Sequence, residues 1–346
     1  MPAPSVIERS LIFSVHDADR AWVRVSLDCD DAVLGRRRFR RTAGGWGLVL
    51  PRPALERLEY RLVVTAADGT TAVICDPGNP NRVATVFGDR SVALLPGYRA
   101  PAWLRTPAGR GRLTSVRFRA DGLGELPITV WSPTGLTRRT PAPLLVVHDG
   151  PEYARLAALT TYAAAVVADG RLPPFRAALL HPVQRDAWYS ANPEYVGAEI
   201  GALGAIGAAF AVREPAVAMG ASLGALTALL VALAAQPRFG GAFLQSGSFF
   251  TPELDEQERS YPYFSRIAAA VADVVGGPPT THPLVVGLTC GALEENHADN
   301  LAMAKALRAL GHGVSFDSRA DLHNYTAWRD ALDPCLTDVL REVWKR

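Results

Sequence analysis

The sequence predicts two architectures in one chain: a short all-β region, then an α/β region with a mainly parallel sheet flanked by helices. Three observations carry this expectation. Short runs rich in valine, leucine and aromatics fill the first hundred residues, with turn signals between them. From about Thr114, continuous apolar runs alternate with helical segments, several of which stop at a glycine. The length of 346 residues, 49% hydrophobic and 20% charged, suits one large or two ordinary domains and excludes a mainly disordered chain.

The β region contains AWVRVSLD (Ala21–Asp28), WGLVL (Trp46–Leu50) and EYRLVVTA (Glu59–Ala66), separated by Ala43-Gly44-Gly45 and Asp68-Gly69. Short strands at this spacing predict an Ig-like β-sandwich domain over residues 1–110. A Pro/Gly/Arg-rich passage, Leu94–Arg112, reads as the linker. Residues 111–346 form the second domain. Ser115–Ala120 and Leu126–Pro133 read as paired strands. Pro143–Gly150, Phe175–Val183, Pro215–Gly220, Gly240–Phe249, Pro283–Gly291 and Val314–Ser318 read as further strands. Helices are expected at Ala157–Gly170, Val196–Phe210, Leu223–Pro237, Asn300–Gly313 and Thr326–Trp344.

Composition removes several function classes. With 36 Lys+Arg against 34 Asp+Glu the net charge is +2, which argues against a dedicated nucleic-acid binder. Four widely spread cysteines make no CxxC pair, so neither a zinc cluster nor a redox motif is indicated. No ligand cluster or phosphate loop appears, so no metal or organic cofactor is expected. The N-terminus lacks a basic stretch followed by a long apolar run, which makes cytoplasm the expected location. Pro215–Pro237 carries no charge and could span a bilayer by length. It is mostly Ala and Gly, however, and a strand, a tight turn and a buried helix explain it better than a membrane segment.

The turn within that stretch is the sharpest chemical signal. Gly220-Ala221-Ser222-Leu223-Gly224 is a G-x-S-x-G between an expected strand and an expected helix. Such a turn leaves no room for flanking side chains and lifts the serine hydroxyl above the sheet. It also aims the Leu223 N–H, at a helix N-terminus, toward a developing oxyanion. This is the pattern of an α/β-hydrolase, in which the chain order is serine, acid, histidine. A serine needs a base. Of seven histidines, His323 alone lies between the last expected strand and the closing helix. The acid should leave the preceding strand, where Glu294, Glu295 and Asp299 stand; Glu294, still in the loop, is favoured. A second oxyanion donor should come from His148-Asp149-Gly150-Pro151-Glu152-Tyr153. Pro151 has no N–H, which leaves Gly150, Glu152 or Tyr153. His148 reads as structural support for that loop. Arg185 and Trp188, after a strand, and Trp328, behind His323, are candidate substrate contacts suited to an anionic, aromatic ligand. The alternative for Arg185 is an ion pair with a carboxylate such as Glu199.

At these residues the chain resembles the enterochelin-esterase family, which hydrolyses siderophore trilactones. The resemblance runs through GGWGLVLP, EYRLVV and DPGNPNRVATVFGDRSVALLPGYRAPAW. It continues at VVHDGPEY, AWYSANPEY with its preceding arginine, MGASLGAL, LTCGALEENHADN, LAMAKALRALGHG and HNYTAWRDAL. It implies Ser222 and His323 as catalytic residues, an acid near Glu294 and a small-molecule ester substrate, an iron-loaded catecholate siderophore such as enterobactin. Iron then enters only as part of the substrate. Two features depart from the family: Pro151 in the oxyanion loop, and Ala320-Asp321-Leu322-His323 where Gly-Gly-His is common. Feruloyl and acetyl-xylan esterases share a similar catalytic fold, so a general or feruloyl/acetyl-type carboxylesterase is the alternative. A non-catalytic glycan-binding protein is a third reading, disfavoured by the full serine, acid and histidine set. The sequence is compatible with an oligomer.

Overall fold

The structure, a computed structural model, describes residues 4–30, 37–107, 109 and 111–345. The chain divides into two compact units. The first comprises residues 1–100 with two short segments from much later in the chain, 292–294 and 320–322; the second holds the remainder. Arg110, where the sequence sets the domain boundary, lies outside the described residues.

In the first unit nine strands form two antiparallel sheets among the described residues. One has the order β1 (Ser5–Ile7), β2 (Ser10–His16), β5 (Gly45–Pro51), β4 (Arg40–Thr42). The other runs β3 (Trp22–Asp28), β6 (Arg57–Ala66), β9 (Gly88–Leu94), β8 (Arg82–Thr85), with β7 (Thr71–Ile74) on β6. Strict alternation decides which face is buried: in β2, Leu11, Phe13 and Val15 point inward while Ser14 and His16 are exposed. Both sheets feed one core, in which Phe13 meets Tyr60 edge-on at 5.0 Å. Each such aromatic or leucine contributes about 1.5–3 kcal/mol by leaving water. Leu322 completes this core and Leu293 packs against it.

The second unit is built on a single sheet of order β10 (Arg112–Ala120), β11 (Gly124–Ser132), β13 (Arg176–Leu180), β12 (Ala142–Val147), β14 (Val212–Ala221), β15 (Phe239–Gln245), β16 (Val285–Gly291), β17 (Gly313–Arg319). The first three are antiparallel neighbours; from β13 onward all pairs are parallel. The helices are α1 (Gly150–Leu156), α2 (Leu159–Ala168), α3 (Arg185–Tyr189), α4 (Pro193–Ala209), α5 (Leu223–Ala234), α6 (Phe264–Val275), α7 (His297–Ala309), α8 (Tyr325–Asp330) and α9 (Thr337–Trp344). They cover both faces, which is why β12 and β13 read as unbroken apolar runs: every residue of each is buried. Along β14, Ala216 and Ala218 join the core beneath α4, α5 and α7, while Val217 and Met219 join the one beneath α2 and α9. No helix among the described residues is long and apolar enough to cross a membrane.

Three local expectations shift. The closing helix is broken: Asp333 is extended (φ −124°, ψ 122°) because it precedes Pro334, which disfavours helical backbone before it and donates no N–H. The loop after β12 becomes α1, with Pro151 in its first turn, where a missing N–H costs nothing. The strand expected over Gly240–Phe249 ends at Gln245. The helix α6, amphipathic and half-exposed, had no counterpart in the sequence reading.

Candidate active site

The candidate residues gather at the carboxyl ends of the parallel strands. Ser222 occupies the turn between β14 and α5 at φ 57°, ψ −125°. A non-glycine residue held there stores about 1–3 kcal/mol, which the surroundings must offset. They do so with backbone bonds. The Ser222 N–H donates to the Gln245 carbonyl (2.9 Å), and its own carbonyl accepts from Ala225 (3.0 Å) and Ser248 (3.2 Å). The glycines answer a spatial demand. A Cβ at Gly220 would fall 2.3 Å from the Gly224 oxygen, and one at Gly224 would press within 3.2 Å of the His148 Cβ. The half-buried Ser222 Oγ lies 3.1 Å from the Ser248 Oγ. Leu223 opens α5, so its N–H has no acceptor within the helix and sits at the positive end of the helix dipole.

Facing the elbow, Asp149 adopts left-handed backbone (φ 51°, ψ 39°) ahead of α1. Gly150 is required there, since a Cβ would lie 2.4 Å from the Leu179 Cα. The Tyr153 N–H is consumed by the Asp149 carbonyl (2.9 Å). Of the three candidate donors, Gly150 and Glu152 therefore keep N–H groups not used inside the helix. The Asp149 carboxylate is gripped by the Arg185 fork, Nε to Oδ1 and Nη2 to Oδ2, both 2.8 Å. Its N–H donates to the Tyr189 hydroxyl at 3.3 Å. Arg185 thus pairs with Asp149 and not with Glu199. Its side chain remains 37% exposed.

Glu199 belongs to His148. The fully buried imidazole sets Nε2 2.8 Å from Glu199 Oε2 and Nδ1 2.9 Å from the Met219 carbonyl, so Nδ1 carries a hydrogen. Burial alone would lower the histidine's pKa, but the Glu199 charge and hydrogen bond outweigh it and raise it. With its Cβ beneath Gly224, His148 braces the elbow from below.

His323 is exposed, in the loop between β17 and α8. β17 stands three strand positions from β14, roughly 14 Å at ~4.8 Å per spacing. The next element, α8, carries Trp328 back to the end of β15. Asn324 caps the helix by accepting the Ala327 N–H (2.9 Å). Trp328 donates its indole N–H to Ser246 Oγ (3.0 Å), at the end of β15, and its carbonyl accepts from the Gln245 side chain (3.1 Å). β15 is the strand adjoining β14, and the His323 ring stands edge-on to Trp328 at 5.1 Å. Gln245 is the hub of this layer: its side chain also accepts from Tyr153 (2.8 Å) and donates to Thr289 (3.2 Å).

The three candidate acids separate by environment. Glu294 is buried in the turn between β16 and α7, and Glu295 beside it is exposed. Asp299 is buried within α7, its carboxyl pushed up to about 7 by burial and by the charge of Asp255. Trp188 is buried and stacked on Tyr195 at 5.2 Å, and Trp328 is 7% exposed. Both indoles therefore serve mainly to hold the rim together. Sequence reasoning missed Ser248, Gln245 and Tyr325, whose ring lies 5.7 Å from Tyr153 and 4.7 Å from Trp328. Nothing local marks them, because their partners lie far off in the chain. Among the described residues, no group of three or more His, Cys, Asp or Glu is arranged to hold a metal ion.

No family model matches the sequence. The chain is 29% identical over 248 residues to an iron(III) enterobactin esterase of Dickeya dadantii, a match covering 65% of this chain and 54% of that protein. The chain therefore spans about half the length of the curated relative it matches. Among solved structures it superposes on a ferric enterobactin esterase of Salmonella typhimurium with a TM-score of 0.78 at 18% identity, covering 96% of this chain and 93% of that one. The enterobactin esterase of Shigella flexneri, solved in the presence of enterobactin, gives 0.76 at 18% identity over 97% and 92%. A ferulic acid esterase gives 0.56 at 17% identity, covering 67% of this chain and 99% of its own. At these identities the fold is shared, with the enterobactin esterases along nearly the whole chain.

Proposed function

We propose that this chain is a serine esterase of the enterochelin-esterase type, hydrolysing the ester bonds of a ferric catecholate trilactone. The observation that carries the reading is the strained Ser222 elbow facing a loop with unspent N–H groups. Whole-length similarity in fold to enterobactin esterases supports the substrate class. In the proposed reaction His323 takes the Ser222 proton as Oγ attacks the ester carbonyl. The oxyanion is held by the Leu223 N–H and by that of Gly150 or Glu152. His323 then protonates the departing alkoxide, leaving an acyl-enzyme that water hydrolyses by the same route. Glu294 fixes the imidazole tautomer and stabilises the imidazolium. The part-exposed Arg185 suits an anionic ligand beside the oxyanion loop. We read the first unit as an Ig-like sandwich domain and the second as an α/β-hydrolase catalytic domain, with the action in the cytoplasm after siderophore uptake.

Turnover of ferric enterobactin, its iron-free form, feruloyl esters and p-nitrophenyl esters tests the reading. The trilactone should have the highest kcat/KM. Equal or better use of feruloyl esters would move the chain to the carboxylesterase alternative, which the fold shared with the ferulic acid esterase keeps in view.

A further inference from the structure

The first unit contains two segments that the sequence alone assigns to the catalytic region, and each adjoins a member of the proposed triad. Residues 292–294 end on Glu294, and residues 320–322 end one bond before His323. The second is held by an unusual device for a β unit, an arginine that is 1% exposed. Arg57, at the start of β6, sends Nη2 to Asp321 Oδ1 (3.0 Å) and Nε to Asp321 Oδ2 (2.9 Å). Its Nη1 donates to Glu59 (2.7 Å). Asp321 Oδ1 also accepts the Leu322 N–H (2.8 Å), which shapes the backbone leading into the histidine. The Glu56 N–H donates to the Ala320 carbonyl (2.9 Å), and Leu322 is buried in the unit's core. Three consecutive residues are thus fixed by a backbone bond, a hydrogen-bonded ion pair and a core leucine.

Burying a guanidinium and a carboxylate is costly, and a hydrophobic pair of similar volume would often be at least as stable. What a charge-assisted Arg–carboxylate hydrogen bond supplies in return is direction. We propose that Arg57 is a positioning residue for the base His323, acting through Asp321 two residues before it in the chain. The inference rests on His323 being the base. It also accounts for the Ala-Asp-Leu-His segment: the aspartate that departs from Gly-Gly-His is the residue Arg57 grips.

The test compares kcat, KM and the rate of fluorophosphonate labelling of Ser222 across four variants of the full chain. Arg57→Gln alone leaves carboxylates buried without their partner and risks misfolding. The double variant Arg57→Gln/Asp321→Asn removes both charges of that pair and leaves a neutral amide at each position. It should hold its circular dichroism spectrum while kcat falls about tenfold or more with KM nearly unchanged, and labelling should slow in proportion. Arg57→Lys, which keeps the charge but not the fork, should fall between this and the parent. Leu62→Ala, in the core of the same unit, should lower Tm without moving kcat at temperatures where it is folded. His323→Ala should be nearly inactive. If the double variant is folded and retains kcat within twofold while His323→Ala is inactive, the positioning role is overturned and the site reading stands. If His323→Ala stays active, both fall together.

Discussion

The elbow and the histidine loop, which carry the two groups proposed to react together, are built by different means. Ser222 is set by five contiguous residues and backbone bonds, with glycines wherever a Cβ would collide. The His323 approach is set by side chains recruited from afar: Arg57 grips Asp321 across 264 positions, and Trp328 reaches Ser246 across 82. A nucleophile on a local turn is precise but brittle, since no substitution at its glycines is spatially neutral. A base on a long-range scaffold can be adjusted in steps, because each anchor contributes separately.

Tests that break or sharpen this contrast follow in order of effect. Ser222→Ala and His323→Ala should each lower kcat by about 10³-fold or more, and the double variant should be little worse than either, because the pair acts as a unit. Additive losses in steady-state kinetics would separate the two residues. Gly150→Ala next: its new Cβ cannot fit against Leu179, so the oxyanion loop must shift, and kcat should fall on the order of 10²-fold with KM less affected. Asp299→Asn addresses the helix behind the acid loop. Its raised carboxyl holds its proton longer in the folded than in the unfolded chain, so wild-type stability falls as pH rises from about 4 toward 7. The asparagine variant should lose that fall and melt several degrees higher than the parent at pH 8 by calorimetry. Ser248→Ala, which removes one hydroxyl contact to Ser222, should change kcat by no more than about fivefold.

The same contrast explains what could be read from the sequence. The alternation of strands and helices, the G-x-S-x-G turn and the loop after the last strand are local patterns. The matching turn, at Ser222 between β14 and α5, follows from glycine sterics alone. Pro151 was legible as a lost donor, but not as the first turn of α1. The sequence offered Glu199 as a partner for Arg185, yet the buried His148 claims Glu199 and leaves Arg185 to Asp149. Pro334 was visible but was read through, so one closing helix was expected where Asp333 breaks it. The anchors of the histidine loop had no local signature: an arginine in a strand of the first unit is one of many in an arginine-rich chain, and its partner is fixed only on folding.

The central claim, that Ser222 is made nucleophilic by His323, is tested most directly by intact-mass kinetics of fluorophosphonate labelling. One adduct should form, map to Ser222, vanish in Ser222→Ala and form at least about 10²-fold more slowly in His323→Ala. An adduct on another residue, or labelling of His323→Ala at the parental rate, would contradict the account.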